Sequence, residues 1–489
     1  MDSSLRPWPA LWALVIGFFM ILVDTTIVSV ANPSIMTSLG TDINSVIWVT
    51  SAYLLAYAVP LLITGRLGDR FGPKRLYLAG LVVFTLASVW CGLSGSIGML
   101  IAARVFQGLG AALMTPQTMA IITRIFPPDR RGVAMGLWGA VAGIATLVGP
   151  MLGGILVDSL GWEWIFFINV PVGIVAFLLA IRFVPRLPTH QHRFDIIGVV
   201  LSALGMFLLV FGLQEGATYD WGTIVGPITV WGLIVSGIVV LAIFVVWQAV
   251  NKGEPLLPLS LFRDRNFSLA SVAISVTGLS VTTMSLPLIF YFQLVLGYTP
   301  TQSALMIVPM AVISGALAPI GGRLADRVNP RNLAFFGATL MGLALVAYSL
   351  LMRPDAEVLP LLLPSALLGV ANAFIWSPLS TTATRNLPQH RAGAGSGVYN
   401  TMRQVGAVLG SASIAAIISY RLSVELPGAS VDLAAGEALP AALHAGFSAA
   451  MSQAILLPAF ASFVGAIVVL FFAKPVQTIA WDEGLNVRR

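Results

Sequence analysis

Three charged side chains, Asp24, Arg104 and Arg403, lie inside long apolar stretches of a sequence in which only 9% of residues are charged. A charge inside a lipid bilayer costs at least ~3 kcal/mol on insertion scales and normally faces a partner or a cavity. Burial favours the protonated form of a carboxyl group, whereas a nearby guanidinium favours the ionised form. Asp24 beside an arginine could therefore load and release a proton.

Asp24 and Arg104 are expected at similar depths in the bilayer. At 1.5 Å per helical residue, Asp24 lies roughly 18 Å along the first apolar stretch, and Arg104 lies roughly 10 Å from the outer end of the fourth. We predict that the two side chains meet and that they serve proton coupling. Two alternatives are a fixed structural ion pair, or an Asp24 close enough to the outer water to stay solvated.

Arg403 has no obvious acidic partner in the second half of the sequence. It could bind an anionic or polar group of a substrate, or it could pair with carbonyl groups at helix ends. Aromatic and polar residues in the apolar stretches could line a cavity, although most aromatics there are ordinary packing or interfacial anchors. The candidate cavity residues are Tyr53, Tyr57, Gln107, Tyr291, Phe374, Trp376, Tyr399, Asn400 and Arg403.

The elements that must position these residues are membrane helices. Hydrophobic residues make up 57% of the 489, and the mean hydropathy is +0.92, far above that of soluble domains. A stretch needs about 20 residues to cross the hydrocarbon layer, and it must be helical because lipid cannot satisfy free backbone groups. We predict fourteen spans: 11–31, 46–64, 76–95, 99–124, 133–157, 164–184, 196–214, 226–247, 269–293, 303–321, 333–352, 358–383, 394–419 and 447–473.

The positive charges test this arrangement independently. With the N-terminus inside, 22 of the 26 basic residues fall on the inner segments, as the positive-inside rule requires. Both termini are therefore predicted to be cytoplasmic, and the first span is read as an uncleaved one. The isoelectric point of about 9.7 reflects basic residues that punctuate the apolar stretches, so we expect no nucleic-acid partner.

A charge-dense, glycine-rich stretch occurs twice. Gly65–Arg75 lies between two predicted spans, and Gly322–Arg331 is a degraded copy about half a chain later. We predict a short loop with a tight turn at each. The duplication predicts a six-helix bundle over 1–184, two inserted helices over 185–250, a second six-helix bundle over 251–474 and a tail over 475–489. Parallel repeats of this kind place a substrate cavity at the bilayer midplane, which indicates a transporter.

The fifth predicted span carries the sequence Gly149-Pro150-Met151-Leu152-Gly153-Gly154. Proline removes a helical hydrogen bond, and glycines allow a neighbouring helix to approach closely. The cluster therefore predicts a kink and a close-contact face in the same place.

Other classes of protein lack support in the sequence. No nucleotide-binding loop occurs, which excludes an ATP-driven pump as a single chain, and no nucleophile–base set can be assembled for an enzyme. Cys91 is the only cysteine, so neither an intrachain disulfide nor a cysteine metal site can form. We expect no metal and no cofactor, with a proton gradient as the source of energy.

Several segments resemble those of the major facilitator superfamily, and more narrowly its fourteen-span drug:proton antiporters, the EmrB/QacA-like group. The resemblance covers nearly the whole chain. It implies an all-α membrane protein with two pseudo-symmetric six-helix bundles and two inserted helices. The segments are Leu22–Val28, Gly65–Arg75, Arg104–Gly110, Gly149–Gly154 and Gly397–Gln404.

The resemblance implies an exporter in the inner membrane that exchanges protons for small amphipathic, often cationic, compounds, in contact with membrane lipids. It assigns Asp24 and Arg104 to coupling and leaves the oligomeric state open. One alternative is the export or flipping of an endogenous lipid or lipidic metabolite, and another is a sensor or scaffold that transports nothing. The implied latch residues are Gly65, Asp69, Arg70, Asp326 and Arg327, and the implied antiporter kink is formed by Gly149, Pro150, Gly153 and Gly154.

Overall fold

The computed structural model is almost entirely helical. It describes residues 7–126, 134, 141, 145, 148–187, 189, 195–216, 218–251, 253, 255–384, 392–427 and 439–473. The first helices are α1 (Pro7–Leu39), α2 (Ile43–Ala58), α3 (Leu61–Phe71), α4 (Pro73–Gly92), α5 (Ile97–Ile125), α6 (Val148–Leu160), α7 (Trp164–Phe167) and α8 (Asn169–Phe183). The central elements are α9 (Ile196–Gln214), β1 (Thr223–Val225), β2 (Ile228–Thr229) and α10 (Val230–Val250).

The remaining helices form the second half of the chain. They are α11 (Arg265–Phe290), α12 (Pro300–Leu305), α13 (Val308–Arg327), α14 (Pro330–Leu351), α15 (Val358–Thr384), α16 (Ala392–Glu425), α17 (His444–Ala454) and α18 (Leu456–Leu470). A π turn, Tyr291–Val295, extends α11, and two short 3-10 helices lie at Leu259–Arg263 and Ala441–Leu443.

Twelve helical stretches within the described ranges are long and apolar enough to cross a membrane. They coincide with twelve of the fourteen predicted spans, which confirms the all-α membrane architecture. The other two predicted spans fall on α2 and α6, which are shorter apolar helices. The total of fourteen crossings, like the division into two bundles and an inserted pair, stays a prediction.

The predicted start of the eighth span was wrong. Residues 223–229 form an antiparallel hairpin, and the helix begins only at Val230. Gly226 turns the chain with a φ of 55°, a conformation that favours glycine, and Pro227 follows it. Local turn chemistry therefore prevails over the apolar character of this stretch.

The two charge-dense repeats are also more helical than predicted. Gly65 to Phe71 lies within α3, and the turn is confined to Gly72, which has a φ of 96°. In the second copy α13 continues to Arg327, and only two residues separate it from α14. Both following helices begin with proline, a residue preorganised for the first helical position. Glycines at helical positions were misread as loop residues.

Glycines set the close contacts between helices. A side chain at Gly108 of α5 would meet the Tyr53 carbonyl oxygen of α2 at 2.5 Å. In the second half, side chains at Gly406 or Gly278 would overlap the backbone where α11 and α16 cross. One buried hydrogen bond, Ser51 Oγ to Ser411 Oγ at 2.6 Å, joins α2 to α16. These crossings hold the backbones at fixed separations, because no flexible side chain lies between them.

Helices α9 and α10 pack against each other, and α9 also contacts α2 and α16. At one end, Glu215 accepts hydrogen bonds from Asn44 and from the indole of Trp48, both on α2. A wide apolar face of α10 stays exposed and includes Trp231, Ile238 and Val246. The pair is thus anchored to α2 through polar contacts and presents its other side to lipid.

Asp195 fastens the opposite end of this pair. Its carboxylate accepts hydrogen bonds from the Gly198 amide at 2.9 Å, the Trp247 indole at 2.7 Å and the Gln248 amide at 2.7 Å. Burial raises the pKa of Asp195, but these hydrogen bonds outweigh burial and hold the pKa below its ordinary value. The ionised carboxylate therefore caps α9 and ties it to α10.

We expect Asp195→Ala to lower the free energy of unfolding by about 1–3 kcal/mol, since a cap is lost and buried donors are left unpaired. Because the pKa of Asp195 is lower in the folded protein, its contribution is present above about pH 4 and lost as the pH falls. Thermal unfolding in detergent from neutral to acidic pH measures this. The difference from Asp195→Ala should shrink on acidification, and a pH-independent difference would contradict the assignment.

Candidate functional site

Asp24 and Arg104 meet in a closed polar network inside the first half of the chain. Arg104 Nη1 donates to Asp24 Oδ2 at 2.5 Å, and both side chains have zero exposure. The other carboxylate oxygen, Oδ1, accepts from Gln107 Nε2 at 2.8 Å and from Asn169 Nδ2 at 2.9 Å. Three donors from α5 and α8 therefore surround a carboxylate on α1.

The guanidinium has further partners. Arg104 Nε donates to the Val49 carbonyl oxygen at 3.1 Å, and Nη1 also donates to Gln107 Oε1 at 2.5 Å. The Arg104 Cζ atom lies 4.1 Å from the ring centroid of Tyr53, a cation–π distance. Nη2 is buried and has no hydrogen-bond partner. The arginine thus links α5 to α1 and α2, and the two N–H groups of Nη2 bond none of the described residues.

Sequence reasoning missed two members of this network, Asn169 and Ser88. Ser88 Oγ on α4 accepts from Gln107 Nε2 at 2.7 Å, and Asn169 is only 2% exposed. Gln107, which we predicted to line the cavity, has zero exposure and faces Asp24. The sequence did contain a signal for Gln107 and Asn169. An amide side chain inside an apolar span needs buried hydrogen-bond partners, which predicts a polar network there.

A short aromatic path leads from this network to the second half. Tyr53 lies under Arg104, and its ring centroid is 5.9 Å from that of Tyr57, one turn further along α2. Tyr57 Oη shares a hydrogen bond of 2.8 Å with Thr115 Oγ1. Helix α2, which carries both tyrosines, packs against α16, which carries Arg403. The aromatic pair therefore extends from Arg104 along the helix that contacts α16.

Arg403 is half-buried and makes no hydrogen bond or ion pair with any residue that the structure describes. Its neighbour one turn earlier, Tyr399, is 7% exposed, and the Tyr399 hydroxyl is buried without a partner. Asn400 lies half-buried on the same helix. Pairing of Arg403 with helix-end carbonyls, one of the two alternatives raised by the sequence, is absent among the described residues.

The other candidate cavity residues are held by their own half of the chain. Tyr291 is buried and donates to the Arg353 carbonyl oxygen at 2.6 Å. Trp376 donates from its indole to Asn372 at 3.1 Å, one turn away on α15. Phe374 packs edge to face on Phe336, with ring centroids 5.8 Å apart. Tyr291, Tyr399 and Trp376 thus belong to one buried apolar cluster, whereas Tyr53 and Tyr57 belong to another.

The latch residues are described only in part. Gly65 lies in α3, with Pro116 of α5 in ordinary contact range, and Arg70 is exposed beside the ring of Phe71. The side chains of Asp69, Asp326 and Arg327 lie outside the described residues. A latch role for this set stays a prediction.

The glycine face of α6 packs closely on α1. A side chain at Gly149 would overlap Thr26, and one at Gly153 would meet Ile27 Cγ1 at 2.8 Å. Thr26 lies two residues after Asp24, so α6 sets the position of the stretch that carries the carboxylate. Pro150 is buried at the start of the described part of α6, and the kink predicted there stays a prediction.

The two halves also touch at the end of the molecule that the charge distribution places outside. A side chain at Gly154 would meet the Thr301 Cα of α12 at 2.7 Å. Asp158 accepts from the Thr301 amide at 3.0 Å, and Gln293 donates to the Val30 carbonyl oxygen at 3.0 Å. Helices α1 and α6 therefore close against α11 and α12 at this end.

Comparison with known proteins agrees with this arrangement. The sequence pattern of the Major Facilitator Superfamily matches residues 14–411. An uncharacterized MFS-type transporter of Mycobacterium tuberculosis is 54% identical over 95% of this chain and 81% of its own length. The multidrug export protein EmrB of Escherichia coli is 31% identical over 82% of this chain and 78% of its own.

The fold has solved counterparts as well. An inward-facing, unoccupied bacterial homologue of the human lysosomal transporter Spinster superposes with a TM-score of 0.65 at 16% identity, covering 96% of this chain and 97% of that one. This likeness shows the fold, and the sequence matches show the family. The chain is therefore an integral, multi-pass transport protein rather than an enzyme, and it belongs to the Major Facilitator Superfamily, among relatives that include the EmrB-type multidrug exporters.

Proposed function

We propose that this protein exports amphipathic compounds across the bacterial inner membrane in exchange for protons that load at Asp24. The observation that carries the proposal is the buried Asp24–Arg104 ion pair, closed on both carboxylate oxygens by amide donors. A purely structural bundle gains little from burying a charge pair, since desolvation offsets most of the attraction. The multidrug export activity named for EmrB supports export of such compounds here.

The geometry suggests how proton loading depends on conformation. In this state Asp24 has zero exposure, and three donors occupy its two carboxylate oxygens. Separating α1 from α5 while the carboxylate stays ionised would leave uncompensated buried charge, at a cost of about 3–5 kcal/mol. Protonation removes that cost because it neutralises Asp24. A bundle that opens at this site therefore takes up a proton, and one that closes releases it.

Contacts between the halves favour alternating access. The contacts of α6 with α12 and of Gln293 with Val30 close the end that is predicted to be outside. Gly154 allows the backbones of α6 and α12 to approach closely at this end. We infer that a rotation of one half against the other separates these two helices. We place both termini in the cytoplasm and assign export to the cycle that opens this end.

Substrate-driven proton movement in proteoliposomes tests the proposal. Purified protein is reconstituted with a pH-sensitive dye inside, and ethidium or anilinonaphthalene sulfonate is added as an amphipathic probe. We expect a pH change that depends on the probe, and probe accumulation that an imposed pH gradient drives and a protonophore abolishes. Accumulation that persists unchanged without a pH gradient would contradict proton exchange and favour a uniporter or a lipid flippase.

A further inference from the structure

We propose that Arg403 is the recognition site for an oxyanion, a carboxylate or phosphate group, at the polar end of the transported amphiphile. This inference rests on the proposed export function and names the charge of the compounds that the site accepts. It departs from the expectation of often cationic compounds that the family resemblance suggested.

Arg403 has no counter-charge among the residues that the structure describes. Its guanidinium offers five N–H donors and makes no hydrogen bond or ion pair with any described residue. Arg104, at a similarly apolar position, has an acid, an amide and a carbonyl as partners. A half-buried guanidinium in an apolar region without such partners is costly, so its place in the fold indicates that a ligand completes it.

The groups around Arg403 are polar and also unsatisfied. The Tyr399 hydroxyl is buried and bonds none of the described residues; it lies one helical turn before Arg403 on the same face of α16. Gln404 is only 4% exposed, and its amide bonds no residue within the described ranges. Together these side chains supply hydrogen-bond donors in excess of acceptors, which suits an oxygen-rich anionic group.

Arg403 lies on a helix that contacts the other half of the chain, where a transported group could touch both halves. Arg403 belongs to α16 in the second half, and α16 packs against α2 of the first half, where Ser51 and Ser411 share a hydrogen bond. A group bound between the two helices touches both halves, as a ligand must if it is to shift their relative position. On α2, Tyr57 lies beside Tyr53, and Tyr53 lies under Arg104.

The charge of the site selects against cations. A planar guanidinium binds a carboxylate or phosphate through two parallel hydrogen bonds, whereas it repels an ammonium group. No described acid contacts Arg403 to offset that repulsion. Among compounds with the same apolar body, the site should therefore rank an anion above a neutral amide and a neutral amide above a cation.

Equilibrium binding to the full chain in phosphatidylcholine nanodiscs tests this ranking, with empty nanodiscs subtracted. The probes are dodecanoate, dodecanamide and dodecyltrimethylammonium, at a pH that ionises the acid. We expect dodecanoate to bind about tenfold or more tightly than the other two, and Arg403→Gln to bring it within about twofold of dodecanamide. Arg403→Lys should keep part of the preference, because it retains the charge but not the two-pronged geometry.

Matched variants separate recognition from folding. Arg421→Gln removes a cation from the same helix, five turns away and stacked on Tyr420, and should leave all three affinities unchanged. Arg403→Gln should still bind dodecanamide like the parent, which shows that the fold is intact. Unchanged dodecanoate preference in Arg403→Gln, or tighter binding of the ammonium by the parent, would overturn the proposal. The binding measurement needs no proton gradient. It therefore tests the oxyanion site even if the protein proves not to exchange protons.

A second set of nanodiscs identifies the source of the oxyanion. If phosphatidylglycerol weakens dodecanoate binding in the parent but not in Arg403→Gln, the lipid headgroup phosphate competes for Arg403. If it does not, the site is reserved for a free organic acid. Either result retains the oxyanion site and decides between the two sources.

Discussion

Replacing Asp24 with asparagine is expected to abolish proton-coupled export and to destabilise the protein by about 3–5 kcal/mol. The asparagine still offers an oxygen to Gln107 and Asn169, but it leaves the Arg104 charge buried and uncompensated. Proton movement in proteoliposomes and thermal unfolding in detergent measure the two effects separately.

A double variant distinguishes the two causes of lost transport. Asp24→Asn with Arg104→Gln removes both charges, so stability should recover by several kcal/mol while proton coupling stays lost. Asp355→Asn, at an exposed turn, serves as the matched control and should behave like the parent in both assays. If the stable double variant still moves protons with its substrate as the parent does, Asp24 is not the coupling group.

Substituting Gly149 with valine is expected to reduce transport by about a hundredfold and to destabilise the protein by about 1–3 kcal/mol. The new side chain would overlap Thr26 and push α1 away from α6, and a shift of about 1 Å at a functional group has a cost of this size. Transport of the fluorescent probes and the thermal midpoint report the two effects.

Rescue by a smaller neighbour tests the steric cause. The smaller substitution Gly149→Ala should also reduce transport, and adding Thr26→Ala should restore part of that activity. The Thr26 hydroxyl is the nearest obstacle to the new methyl group, and it bonds only within its own helix. Gly315→Val is the matched control, since no atom lies within 4 Å of the position of its new Cβ. Equal losses at Gly149 and Gly315 would mean that helix propensity rather than packing on α1 is responsible.

The Asp24–Arg104 pair could be predicted from the sequence because only the depth of each residue in the bilayer was needed. The rise per residue of a helix is fixed, so two positions in apolar spans convert directly into depths. The buried charge limited the choice of partner further, since an acid in lipid needs a compensating group. The all-α membrane fold followed in the same way from the length of the apolar stretches.

The residues that complete the network could not be reached by the same route. Whether Gln107 faces a cavity or Asp24 depends on how α5 is rotated against α1, which no local pattern specifies. Asn169 and Ser88 come from helices whose neighbours are set by the tertiary fold. The helical course of Gly65 to Phe71 was missed for another reason: tertiary packing overrides the low helix propensity of glycine.

The position of α9 makes the two lateral flanks of this transporter unequal. Where α2 and α16 meet, α9 lies across the seam and α10 lies outside it, pinned by Glu215 and Asp195. A solute dissolved in the acyl chains therefore meets a four-helix wall on that flank. We therefore expect sideways entry of a solute from the bilayer to use the opposite flank, where α6 contacts α12, rather than this one.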